Sequence, residues 1–169
     1  MKKVIFLDFD GVVRPFAYTE VCEQLWKANP QCKTKDIFGY YFAPYAVDTL
    51  TYILAMSGAN IVISSSWRKL GLSEMKELWR SRRLPFPERI VGITPITQNT
   101  NRGHEISAYL NETSAIKSYL ILDDKNDMGE VHKNHFLQIN SKFGLTIDLA
   151  SKCIDILNIK KINEALLKP

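Results

Sequence analysis

Cysteine is scarce in this chain, and the little there is does not pair by pattern. Cys22, Cys32 and Cys153 are odd in number, and none stands in a Cys-x-x-Cys unit. This argues against a disulfide framework or a thiolate zinc site. It points to a reducing, cytoplasmic setting with Cys22 and Cys153 as small core residues. Histidine is just as sparse: His104, His132 and His135 are the whole set. His132-x-x-His135 has no further ligand at close spacing, so both read as surface residues rather than zinc ligands. No apolar run approaches the ~18–20 residues that span a bilayer, so no membrane partner is expected. The opening Met1-Lys2-Lys3-Val4 is basic and then apolar, but aspartates interrupt it and no small-residue cleavage site follows. It does not read as a signal peptide. Repeats, low-complexity tracts and Pro/Gly/Ser linkers are also missing. The 169 residues are expected to form one domain over 1–169, a size that buries about 70% of the unfolded chain's surface.

What is present is a globular composition, 46% hydrophobic and 24% charged, with a formal net charge of +4. The charge mildly favours a phosphorylated or polyanionic partner. The basic residues are dispersed: Lys33/Lys35, Arg68/Lys69, Arg80/Arg82/Arg83 and Lys160/Lys161. Most such groups are solvated helix faces.

The most informative segment is Val4-Ile5-Phe6-Leu7-Asp8-Phe9-Asp10-Gly11. An apolar strand ends in two aspartates one residue apart. Strand side chains alternate, so Asp8 and Asp10 leave one face and Phe9 the other. Two carboxylates at ~4 Å repel by about 4 kcal/mol at an effective dielectric of 20, which a cation or a proton must offset.

Further along, Thr19 to Ala28 reads as an amphipathic helix with Tyr18, Val21, Cys22, Leu25 and Trp26 on one stripe, stopped by Asn29-Pro30. The aromatic-rich stretch Lys33–Ala43 has no clear period. Pro44 opens a helix that buries Val47, Leu50, Ile53 and Leu54 and ends at Gly58. Ala59–Ser64 is a short buried strand running into Ser64-Ser65-Ser66. A helix over Ser73–Arg83 buries Met75, Leu78 and Trp79, and Ile90–Ile93 is a short strand. Gly103–Asn111 is a helix with Ile106, Tyr109 and Leu110 inward. Tyr119–Leu122 is a third buried strand, ending in Asp123-Asp124. Phe136–Ile139 is a later strand, and Leu145–Leu157 a helix around Leu149, Cys153, Ile156 and Leu157.

Apolar strands alternating with amphipathic helices predict an α/β fold on a parallel sheet. In such sheets the site lies outside the carboxyl ends of the strands. Asp8/Asp10, Ser64–Ser66 and Asp123/Asp124 each follow an apolar strand directly. They are therefore expected on one edge. Carboxylates gathered there without histidine or cysteine describe a hard-cation site, for which Mg2+ is the natural occupant. A carboxylate beside such a cation can attack phosphorus. A second carboxylate two residues on can protonate the leaving alkoxide and then activate water. A hydroxyl and a Lys or Arg complete the chemistry by offsetting developing charge.

The order Asp-x-Asp-Gly, strand plus Ser, basic residue, strand plus Asp-Asp resembles the haloacid dehalogenase-like (HAD) phosphohydrolase superfamily. Ser64-Ser65-Ser66-Trp67-Arg68 and Arg102-Gly103-His104-Glu105-Ile106 resemble the HAD domains of Swiss Army Knife RNA-repair proteins. The resemblance implies a three-layer α/β/α Rossmann-like core. It implies Asp8 as nucleophile and Asp10 as general acid/base, its backbone carbonyl also facing Mg2+. Ser64 binds the phosphoryl group, with Ser65 as the competing choice. Asp123 and Asp124 hold the metal, supported by Asp127. Arg102 is favoured as the basic residue, Lys117 is the alternative, and Arg68 is a further phosphate-binding candidate. Neither 14–44 nor 67–102 has room for a full cap domain, so an open site is expected. Such a site suits a phosphorylated polynucleotide end, to which the 33–45 aromatics could add base stacking. A nucleotidase or other small-metabolite phosphatase is the alternative substrate reading. A phospho-receiver or binding module is the alternative of another class, but a receiver lacks Asp-x-Asp-Gly, and a dead binding module would not fill every expected acidic position.

Overall fold

The computed structural model describes residues 2–97 and 101–158, so the Lys160/Lys161 pair lies outside the described residues. The chain runs β1 (Lys2–Leu7), α1 (Phe16–Ala28), β2 (Lys35–Asp36), β3 (Gly39–Tyr40), α2 (Pro44–Ser57), β4 (Asn60–Ile63), α3 (Leu72–Ser81), β5 (Ile90–Ile93), α4 (Arg102–Glu112), β6 (Ile116–Asp123), β7 (Phe136–Gln138) and α5 (Ala150–Asn158). Short 3-10 turns over Ser66–Leu70 and Glu130–His135 fill two of the connections.

Five strands form one sheet in the order β5-β4-β1-β6-β7, and every pairing is parallel. Alternation within β1 explains the layers. Ile5 and Leu7 join α2, α3 and α5 residues such as Leu50, Leu78 and Cys153 in the larger core. Val4 and Phe6 turn the other way, toward Ile106 of α4 and Met128. Both faces of β1 are thus covered, which is why its sequence is a continuous apolar run. The result is a three-layer α/β/α core. Trp79 is 1% exposed and donates its indole N–H to the Pro85 carbonyl at 2.7 Å. Truncating such a residue costs ~3–5 kcal/mol.

The chain leaves β1 for β4 on one side and returns to β6 on the other. The order therefore reverses at β1, and the crevice of the fold lies at its carboxyl end. α2 begins with Pro44 and ends on Gly58 in the left-handed region, as its sequence predicts.

Two expectations need correction, and one unassigned stretch takes a definite form. The α1 stripe is mostly outside: Val21 and Leu25 are exposed and only Cys22 of the helix is buried. The 33–43 stretch is a two-residue-per-strand hairpin. Its Asp36 receives a fork from Arg82 of the loop after α3 (2.8 and 2.9 Å). Burial works against the Asp36 charge, but the Arg82 fork and the Phe38 amide outweigh it and hold the carboxyl below its usual range. The last helix starts at Ala150, after a 3-10 turn over Ile147–Leu149, and Leu149 is only partly buried. Among the described residues no cap domain is inserted, and no helix is long and apolar enough to cross a membrane.

Candidate active site

Asp8 follows the last residue of β1 and is 5% exposed. Its backbone N–H donates to the Leu122 carbonyl at 3.0 Å, which ties it to β6. β6 in turn carries Asp123 as its last residue, fully buried, with Asp124 next. One carboxylate oxygen from each of Asp8, Asp123 and Asp124 lies within 4.8 Å of the others. At that separation each ionised pair repels by about 3.5 kcal/mol at an effective dielectric of 20. A cation stands against this charge. Arg102, the first residue of α4, places Nε 3.6 Å from Asp123 Oδ2.

The protonation balance reflects this. Burial pushes the Asp8 carboxyl above its usual range; Arg102, the Ser65 hydroxyl and the Phe9 amide pull back, and Asp10 adds to the rise. Burial and then the Asp8 charge push Asp123 up to about 7, against the pull of Arg102. Asp123 Oδ2, Arg102 Nη1 and Ser64 Oγ are buried with no hydrogen-bond partner among the described residues. Buried orphans of this kind are uncommon in a native protein and mark a place for a further group. An all-oxygen donor set with unspent lone pairs fits Mg2+.

Backbone geometry permits the cluster. Gly11 has φ +76°, and a Cβ there would fall 2.6 Å from Asp124 Oδ2. Only glycine lets the chain after Asp10 pass Asp124 so closely. Gly103 has no room for a Cβ against the Met128 carbonyl, so the first turn of α4 presses on the loop after β6. Asp127 from that loop accepts the Arg102 N–H at 3.3 Å, and the Asn101 side chain caps the same helix through the His104 N–H.

The other expected site residues fall into different places. Asp10 is not in the carboxylate cluster. Its Oδ1 accepts from Arg14 Nε at 2.6 Å and its Oδ2 from Trp67 Nε1 at 3.0 Å, so its side chain is committed away from the metal position. Asp127 likewise lies outside the cluster, serving α4 instead. Ser65 hydrogen-bonds Asp8 and accepts the Trp67 N–H, whereas the buried Ser64 hydroxyl is unpartnered.

Arg68 is not available to a phosphate. It is 5% exposed and donates to the carbonyls of Ser64, Ser65 and Thr94 and to Glu105 Oε2 at 2.5 Å. Lys117 is excluded by topology. It is exposed near the start of β6, six residues before Asp123, hence about 20 Å away at strand rise.

His132 and His135 also differ from expectation. His132 is 1% exposed, because the 130–135 turn tucks beneath α4. Its Nε2 faces the Gly103 carbonyl at 3.0 Å and Ser107 Oγ at 2.9 Å, and its Nδ1 faces Tyr119 Oη at 2.9 Å. A carbonyl only accepts, so the proton sits on Nε2, and the Tyr119 hydroxyl donates to Nδ1. This ring cannot take a proton from Ser107. The network is a brace at the wall of a cavity of about 350 Å³ lined by Ser107, Asn111, Lys117, Tyr119 and His135. His135 itself stacks on Tyr119 with centroids 4.1 Å apart.

Sequence reasoning assigned no role to Arg14, Trp67 or Glu105. Arg14 carried one local signal, a cation four residues after Asp10; the other two act only across the fold. Of the 33–43 aromatics, Phe42 is buried in the core, and Arg82 sits over the Tyr41 ring at 5.4 Å.

No curated protein and no solved structure matches this chain. A family profile described as the HAD domain in Swiss Army Knife RNA repair proteins matches residues 4–150. That span takes in the sheet from the third residue of β1 onward and all three clusters at its carboxyl edge, and the chain belongs to this family of HAD-like phosphohydrolases.

Proposed function

We propose that this domain is a Mg2+-dependent phosphatase that hydrolyses a phosphate monoester through an aspartyl-phosphate on Asp8. The observation that carries the reading is the Asp8–Asp123–Asp124 cluster with Arg102 beside it, at the crevice of a parallel sheet. Asp8, Asp123 and Asp124 would hold the ion, which when bound screens the charge on the phosphoryl oxygens. An Asp8 carboxylate oxygen attacks phosphorus, and the bond from phosphorus to the ester oxygen breaks. The electron pair stays on that oxygen, which takes the proton of the Asp10 carboxyl. The Asp10 carboxylate then takes a proton from water as the water oxygen attacks the phosphoryl group. Asp8 is released, and the products are the alcohol and inorganic phosphate. Arg102 offsets charge on the phosphoryl oxygens, and Ser64 or Ser65 donates to one of them.

For substrate we favour a phosphorylated RNA end. Two things support this choice: the repair context in the family description and the lack of a cap among the described residues. The reading is tested by phosphate release, with Mg2+ and with excess chelator, from an aryl phosphate, mononucleotides, 5′- and 3′-phosphorylated oligonucleotides and phosphopeptides. Release that needs Mg2+, is lost in Asp8→Asn and is fastest on oligonucleotides supports it. Release by Asp8→Asn at the wild-type rate overturns the mechanism, and a preference for mononucleotides overturns the substrate choice.

A further inference from the structure

Asp10 is held by a closed triangle of side chains. Arg14 approaches Oδ1 with Nε at 2.6 Å and Nη2 at 2.5 Å, and Trp67 Nε1 donates to Oδ2 at 3.0 Å. The third side joins the two holders, because the Arg14 guanidinium lies over the Trp67 ring, 4.7 Å from its centroid. Each is anchored by a different kind of contact. Arg14 is fixed by its backbone, its N–H donating to the Phe9 carbonyl at 2.8 Å and its carbonyl accepting from Gly11 at 3.0 Å. Trp67 is fixed by the core, edge-on to the fully buried Phe9 at 5.8 Å and 6.4 Å from Phe42.

A carboxylate one-third exposed has rotamers to choose from, and one whose two oxygens each have a donor does not. Donors fixed by backbone and core point the carboxyl in one direction before any substrate arrives, which is the kind of preorganisation that proton transfer in a transition state rewards. Phe9 couples the parts. It stands between the two aspartates in sequence and braces the indole that aims the second one.

We propose that Arg14 and Trp67 are the positioning residues for Asp10 and that this clamp sets how well the enzyme expels a poor leaving group. The inference rests on the phosphatase reading above. With an alkyl phosphate the departing oxygen needs the Asp10 proton as the bond to phosphorus breaks. With p-nitrophenyl phosphate the phenolate leaves without it. Loss of the clamp therefore separates the two substrates, whereas general loosening of the fold slows both alike.

The test is kcat/KM over a series of monoesters from p-nitrophenyl to alkyl phosphate, with Mg2+ present, for wild type, Trp67→Phe, Arg14→Lys and Asp10→Asn. Trp67→Phe keeps an aromatic ring against Phe9 and removes the N–H donor together with part of the surface under the Arg14 guanidinium. It is expected to lose roughly tenfold on the alkyl ester and less than about threefold on p-nitrophenyl phosphate, a fraction of the ~10²–10⁴ that a positioned acid supplies. Arg14→Lys, which keeps a donor, falls between wild type and Trp67→Phe. Within Asp10→Asn, adding Trp67→Phe leaves the alkyl-to-aryl ratio unchanged. An active wild type whose Trp67→Phe variant loses equally on every ester overturns the clamp and leaves the phosphatase reading standing. A folded wild type that releases phosphate from none of them overturns the phosphatase reading and the clamp with it.

Discussion

Glu105→Ala offers the sharpest test of how the turn after β4 is held. Arg68 and Glu105 are 5% and 4% exposed, and their side chains meet at 2.5 Å. Burial draws the Arg68 pKa down against the pull of Glu105, as expected for a cation taken out of water. Removing the carboxylate leaves that cation buried with carbonyls alone, and breaking such a pair from one side costs ~3–5 kcal/mol. For a chain of this length that is a shift of roughly 6–20 °C in Tm. Replacing both partners, Arg68→Met with Glu105→Leu, removes the stranded charge. It also strips a donor from the Ser64, Ser65 and Thr94 carbonyls. The double variant is therefore expected between Glu105→Ala and wild type, with about 1 kcal/mol at stake for each hydrogen bond lost; the Ser65 carbonyl keeps the Arg68 backbone N–H at 3.1 Å. Urea unfolding of all three proteins reads this directly. A Glu105→Ala loss below about 1 kcal/mol, the range of exposed pairs, would refute the buried-pair argument.

Arg102→Ala should abolish phosphate release while Lys117→Ala leaves it near wild type; the opposite result would put the basic function at the wrong end of β6. Gly11→Ala should cost roughly 1–2 kcal/mol for its left-handed backbone and also displace Asp124, so a variant with full activity contradicts the described approach. Burial holds the His132 pKa below its ordinary 6.5, with the Gly103 carbonyl opposing and His135 adding to the fall. A depressed folded pKa means that the stabilisation is present above the unfolded value and is lost as pH falls through the folded one. The urea midpoint should therefore drop between about pH 7 and 5 more steeply in wild type than in His132→Phe, and equal slopes would show that the ring is not buried neutral.

The parts of the fold that could be read in advance are those whose meaning is local. Val4–Leu7, Ile61–Ile63 and Leu120–Leu122 are apolar on both faces because helices cover both faces, and their shortness marks them as strands rather than buried helices. The acidic groups were legible because each follows its strand without a gap. What failed depends on which neighbour arrives. Val21 and Leu25 satisfy helical period but face solvent, since α1 packs at the rim of the core rather than on the sheet. His132 looks like any polar loop residue until α4 closes over it. Lys117 stands at the start of a site strand, yet a strand has two ends and only one is the site. The same limit hid Trp67 and Glu105, whose partners Asp10 and Arg68 lie 57 and 37 residues away. Arg68 carried a charge that reads as surface or substrate, and only the tertiary structure supplies Glu105 and three carbonyls to spend it on.

The first turn of α4 and the loop after β6 are fastened at three points: Asp127 on the Arg102 N–H, Met128 flush against Gly103, and His132 on the Gly103 carbonyl. For protein engineering this makes residues 101–107 and 123–132 one cassette. A chimera that imports either half from a relative brings a helix end and a loop shaped for different counterparts, and it misplaces the arginine relative to the aspartates. Exchanging both halves together keeps Arg102 in register with Asp123 and Asp124, provided the incoming helix still offers the buried Arg68 the carboxylate that Glu105 supplies.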